Sequence, residues 1–159
     1  MRALLQKVYF SVFDRSLFRP QNLPDRDDLE HGEWNRMIGE KGENLAGKYL
    51  RFRGKKVLYR NFRGPDGGEV DIVFRDADTL VFAEVKTRSG DQFGRPGKAV
   101  DREKQMLIIR GANAWLRELH LPDVLFRFDV IEVILKNGEI PDIRWNQEVF
   151  ATPQAGLGM

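Results

Sequence analysis

The sequence predicts an α/β fold: a mixed central sheet of four to five strands, made of an antiparallel meander plus a parallel strand after a helical crossover, flanked by helices. Three observations carry that prediction. Residues 57–63, 69–75 and 80–88 are short strand-like runs, separated by the turn-forming residues 64–68 and 76–79. Residues 37–53 and 99–119 instead repeat apolar groups at helical spacing. Leu125 to Leu135 alternates again, and its place after the second helix makes it parallel to the strand before that helix.

In the first helix Glu43, Ala46 and Leu50 fall at i, i+3 and i+7, and Leu45 and Tyr49 widen the stripe. Glu43 therefore heads the buried face. It is either an acid favoured by the helix dipole or part of a site, and the residues alone leave both readings open. Gly39, Gly42 and Gly47 weaken the helix but allow another backbone to approach. Arg51 to Lys56 end it with positive charge and Gly54.

The next two strands carry the chemistry. Alternation puts Glu69 and Asp71 on one face, with Val70, Ile72 and Phe74 on the other. In the following strand Glu84, Lys86 and Arg88 share a face, opposite Val81, Ala83 and Val85. Charge in an apolar strand is costly unless it is paired or binds a metal. An internal ion pair explains an isolated Glu-x-Lys. Glu84 and Lys86 with Glu69 and Asp71 one strand earlier favour a divalent-metal site with a working lysine.

The glycine-rich stretch 89–97 lacks the Gly-Lys-Ser/Thr of a phosphate-binding loop, but Arg95 and Lys98 bring charge towards a ligand. In the second helix Lys104, Ile108, Ala112, Trp115 and Leu119 form one line. Lys104 heads that stripe either as a snorkelling lysine or, preferred, as a phosphate or carboxylate contact. Trp115 reads as core. Asn137 and Gly138 turn the chain into an edge segment over about 140–150.

Composition narrows the chemistry. The chain of 159 residues has no cysteine and two histidines, His31 and His120. Disulfides, thiolate zinc sites and cysteine nucleophiles are excluded, and a cytoplasmic location fits. Oxygen ligands point to Mg2+ or Mn2+. The net charge of +2 divides into −1 over residues 1–40, +6 over 41–120 and −3 over 121–159. A basic surface around an acidic centre suits a polyanion such as nucleic acid.

Residues 1–18 are amphipathic, with apolar runs too short for a transmembrane segment. They read as an amphipathic helix docking first on the domain or on a partner, with a membrane surface as the alternative. Residues 19–36 read as a polar linker with a solvated His31, 37–150 as the domain, and 151–159 as a disordered tail.

Gly42-Glu43 with Ala46, Tyr49 and Leu50, then Asn61, Gly68 to Ile72, Glu84 to Arg88, Phe93-Gly94, Lys104 and Arg127 to Asp129 together resemble the bacterial YraN family. That family is similar to the restriction-endonuclease-like PD-(D/E)xK superfamily and to archaeal Holliday-junction resolvases. The resemblance runs from about 38 to about 135 and leaves the first 37 residues without a counterpart. It implies a restriction-endonuclease-like fold with a magnesium-dependent nuclease site. Asp71, Glu84 and the Val85 carbonyl would be metal ligands, and Glu43 an outer or second-metal ligand. Lys86 would orient or help deprotonate the attacking water, and Lys104 would face the phosphate. Glu69 matches the motif with no fixed role. Arg88, Arg95 and Lys98 join Lys104 as nucleic-acid contacts.

The expectation is an endonuclease hydrolysing phosphodiester bonds in DNA, branched or structured DNA included. The resolvase-like relatives imply a homodimer, since two strands need two cuts. The alternatives are a non-catalytic nucleic-acid-binding accessory of repair or recombination, and an interaction protein recruited through residues 1–36.

Overall fold

The computed structural model describes residues 18–90, 100–120 and 123–152. Helix α1 (His31–Phe52) leads into strands β1 (Lys56–Arg63), β2 (Glu69–Asp76) and β3 (Thr79–Ser89). Helix α2 (Arg102–Glu118) crosses over, and β4 (Leu125–Leu135) and β5 (Asp142–Phe150) follow. The strands lie in the order β1-β2-β3-β4-β5, with β3 and β4 parallel and the other neighbours antiparallel. This is the expected α/β architecture, a mixed five-stranded sheet with the restriction-endonuclease-like arrangement. None of the described helices is long and apolar enough to cross a membrane.

Each helix covers one sheet face. Ala46, Tyr49 and Leu50 of α1 pack on Ile72, Phe74 and Val81. Ile108 and Ala112 of α2 pack on Val73, Phe82 and Phe128. These side chains are essentially inaccessible, and burial stabilises each large one by roughly 1.5–3 kcal/mol. Gly42 lets α1 touch β3, since a Cβ there would stand 1.8 Å from Thr87 Oγ1. Gly68 does the same for α2 and β2, since its Cβ would lie 2.2 Å from the Gly111 nitrogen. Gly39 and Gly47 have no such contact.

Several details differ from the sequence reading. Helix α1 begins at His31, not 37, because Trp34, one turn before Ile38, extends its buried stripe. His31 is exposed but helical, with Nε2 3.2 Å from Asn35. The stretch from Phe18 is no free linker. Phe18 is buried, Leu23 and Leu29 pack on the α1-side core, and Gln21 exchanges backbone bonds with Gly138 and Glu139 in the β4–β5 turn. In the second helix Leu119 lies past the end and is exposed.

A further difference concerns the central strands. Val70 does not share a face with Ile72 and Phe74: it packs on the α2 side, and they pack on the α1 side. Alternation breaks at Asp71. Its neighbour across β1, Asn61, has φ +54°, a left-handed backbone that Asn tolerates. A second irregularity lies where Glu148, at φ +50°, donates its N–H to Asp129 and the β4–β5 register shifts. Buried Asp129 also accepts from Arg127 and Trp145, and Arg127 reaches Asp76 at 2.7 Å. The Arg127 to Asp129 motif is thus a structural clamp between β2, β4 and β5.

The amphipathic run over residues 1–17, the tail from 153, and Arg95 and Lys98 lie outside the described residues.

Candidate metal and phosphate site

Four elements meet where β2 and β3 part. The β2–β3 ladder ends at Ile72 and Ala83. Two residues further along β3, the Val85 N–H donates to the Asp71 carboxylate at 2.8 Å instead of to a β2 carbonyl. A strand residue's N–H and C=O point to the same side, so the Val85 carbonyl is directed here too. The face change at Asp71 turns its side chain into this gap.

Glu84 stands beside Asp71. Its residue surface is 8% exposed, and its Oε2 atom is buried with no hydrogen-bond partner. Burial, then the charge of Asp71 and contact with its carboxyl group, push the Glu84 carboxyl up to about 8, against a downward pull from Lys104. Two carboxylates share one water-poor space.

Glu43 reaches the gap from α1. Burial and the charge of Asp71 raise its proton affinity, while a hydrogen bond from Asn61 and the charge of Arg60 oppose the rise. On the far side, the Lys104 ammonium lies 2.5 Å from Glu69 Oε1 and 3.6 Å from Glu84 Oε2. The favoured phosphate-or-carboxylate reading of Lys104 is met by carboxylates. Burial disfavours its charge, yet Glu69, Glu84 and Asp71 outweigh that and raise its proton affinity. Glu69 is held below its usual range, chiefly by the Lys104 hydrogen bond. Half-buried Lys86 follows Glu84 on the same β3 face, opposite buried Glu132 of β4 in register. Arg88 lies two residues further along, partly buried.

Among the described residues no group of three or more acidic or histidine side chains forms a ready metal cage. A hard cation of the magnesium type does not need one. It keeps several waters and takes one or two carboxylates plus substrate phosphate. Asp71 and Glu84 fit that requirement, and the partnerless Glu84 oxygen is the atom left to be satisfied.

The profile of "Uncharacterised protein family UPF0102" matches residues 42–133. Relatives described as "UPF0102 protein" align over most of their length. One from Geobacter metallireducens is 46% identical over 73% of this chain and 93% of its own. One from Beutenbergia cavernae is 50% identical over 61% and 81%. One from Clostridium kluyveri is 39% identical over 74% and 96%.

The chain belongs to the UPF0102 family. This is the YraN family that the motifs resemble. The UPF0102 match spans the approach at Gly42, the Asn61–Asp71 break, the Glu84–Lys86 strand and Lys104. It stops before β5 and excludes the segment from Phe18 to Lys41.

Sequence reasoning missed several supporting residues. Asn61 stands in the motif without a task that the sequence reveals, yet it binds Glu43 and forms the break opposite Asp71. Asp101 caps α2 by accepting the Lys104 N–H at 2.8 Å, and an Asp three residues before a helical lysine was a readable cap signal. The packing of Gly68 on Gly111 had no one-dimensional signal.

Proposed function

We propose that this chain is a divalent-metal-dependent endonuclease that hydrolyses phosphodiester bonds in DNA, with branched or structured DNA as the substrate class. The observation that carries the reading is the Asp71–Glu84 pair, with one buried Glu84 oxygen lacking a hydrogen-bond partner. Lys86 follows on the same face of β3. Asp71, Glu84 and the Val85 carbonyl would hold the ion. When bound there, Mg2+ or Mn2+ neutralises non-bridging phosphate oxygens and makes a bound water more acidic.

The chain's own groups do the rest. Lys86 offsets phosphate charge and orients the attacking water. Glu43, next to Asp71, serves as an outer carboxylate that accepts a proton from a water in the gap. Arg88, and by sequence position Arg95 and Lys98, extend positive charge along the path of the nucleic acid. The net +6 of residues 41–120 supports a polyanionic partner. Cutting both strands of a branched duplex needs two such sites, so the reading includes a homodimer.

The test is a panel of linear, nicked, flapped and four-way DNA, incubated with Mg2+ or Mn2+. Cleavage by the wild type, with losses of 100-fold or more in Asp71→Asn and Lys86→Ala, is the expected result. Tight metal-independent binding without cleavage by the wild type favours the non-catalytic accessory instead.

A further inference from the structure

We propose that Lys104 is the built-in counter-cation of the carboxylate gap, and that it sets the gap's divalent affinity by competing with the ion. This inference rests on the reading of Asp71 and Glu84 as ion ligands.

Geometry carries it. The ammonium lies 2.5 Å from Glu69 Oε1 but 3.6 Å from Glu84 Oε2. The first is hydrogen-bond distance and the second is not. Lys104 therefore offsets the negative charge of the gap as a whole without satisfying the buried oxygen of Glu84, which remains without a hydrogen bond. Glu69, about a third exposed, holds the cation back from the deeper carboxylate.

The backbone beneath the lysine is fixed. Asp101 caps α2 through the Lys104 N–H. Gly68 against Gly111 locks α2 onto β2 at a separation that a Cβ would not permit. The cap and the close glycine contact seat the start of α2 on β2, and the long lysine side chain is the part free to change partners. With an ion between Asp71 and Glu84, Lys104 faces a like charge and turns wholly to Glu69. Without one, it is the cation that keeps three carboxylates together. Glu69 then has a task that the motif alone left open: it receives the displaced ammonium.

The experiment compares wild type, Lys104→Met and Lys104→Arg by calorimetric titration with Mg2+ and Mn2+, and by thermal unfolding in EDTA. Lys104→Met is expected to bind the ion about tenfold more tightly, equivalent to about 1.4 kcal/mol of relieved repulsion. Lys104→Arg keeps the charge and stays within about twofold of wild type. In EDTA, Lys104→Met melts about 3 °C lower, Lys104→Arg does not, and added Mg2+ restores the former. Equal or weaker ion binding by Lys104→Met overturns the proposal. If neither wild type nor Lys104→Met binds an ion, the metal reading of Asp71 and Glu84 fails. Melting in EDTA then decides alone: an unchanged Lys104→Met midpoint overturns the counter-cation as well.

Discussion

Replacing Glu84 by Gln should alter the pH dependence of stability in a way that isolates this carboxyl. In the folded protein Glu84 gives up its proton at about 8, against 4.5 for an ordinary glutamate. Between those values the folded chain holds a proton that the unfolded chain has lost. Stability from this group is therefore complete below the ordinary value and falls as pH rises through the folded one. At 1.36 kcal/mol per pH unit the whole interval is worth on the order of 5 kcal/mol. Solvent at the open side of the gap, where Glu69 is about a third exposed, reduces the working figure to about 2 kcal/mol. Urea unfolding in EDTA at pH 5 and pH 8 measures it. Wild type should lose about 2 kcal/mol more than Glu84→Gln across that range, and the variant should be the more stable protein at pH 8. Glu43 drifts in the same direction in both proteins, so the difference between them belongs to Glu84. Parallel pH profiles would refute the claim that Glu84 ionises in a buried, acid-crowded gap.

Two further outcomes follow from packing. Gly42→Ala drives a methyl group into Thr87 and should cost on the order of 2 kcal/mol in urea unfolding. Thr87→Ala in the same chain should recover part of that, whereas strictly additive losses would contradict the contact. Asp129→Ala leaves Arg127, the Trp145 indole N–H and the Glu148 N–H without their shared acceptor. It should lower stability by about 3–5 kcal/mol, and a change below 1 kcal/mol would remove the clamp from the explanation of this fold.

Periodicity made the sheet order, the crossover and both helices legible. Runs such as 80–88 and 125–135 sit between clear turn signals, and the α1 stripe at Ala46, Tyr49 and Leu50 is buried as its spacing requires. The start of α1 was hidden because Trp34 stands at the end of a polar, proline-containing stretch whose apolar members are too sparse to read as a stripe. The pairing of Gln21 with the β4–β5 turn is a contact across more than a hundred residues, which no local pattern encodes. Strict alternation placed Val70 beside Ile72. The left-handed turn at Asn61 and the face change at Asp71 defeat that rule, and they send the Asp71 carboxylate into the gap. The residue types of the site could be read from the sequence. The geometry that joins Asp71 to Glu84, and Lys104 to Glu69, depends on two irregular backbone positions and one glycine–glycine contact.

The most direct test of an ion site at Asp71 and Glu84 is calorimetric titration of Mg2+ and Mn2+ into wild type and Asp71→Asn at pH 7.5. The amide oxygen of Asn still accepts the Val85 N–H, so the fold is retained while one ligand charge is lost. Saturable binding by wild type that weakens at least tenfold in the variant is the predicted result. Equal heats in both proteins, or none in either, would contradict it and leave the strand carboxylates as part of a structural ion-pair network.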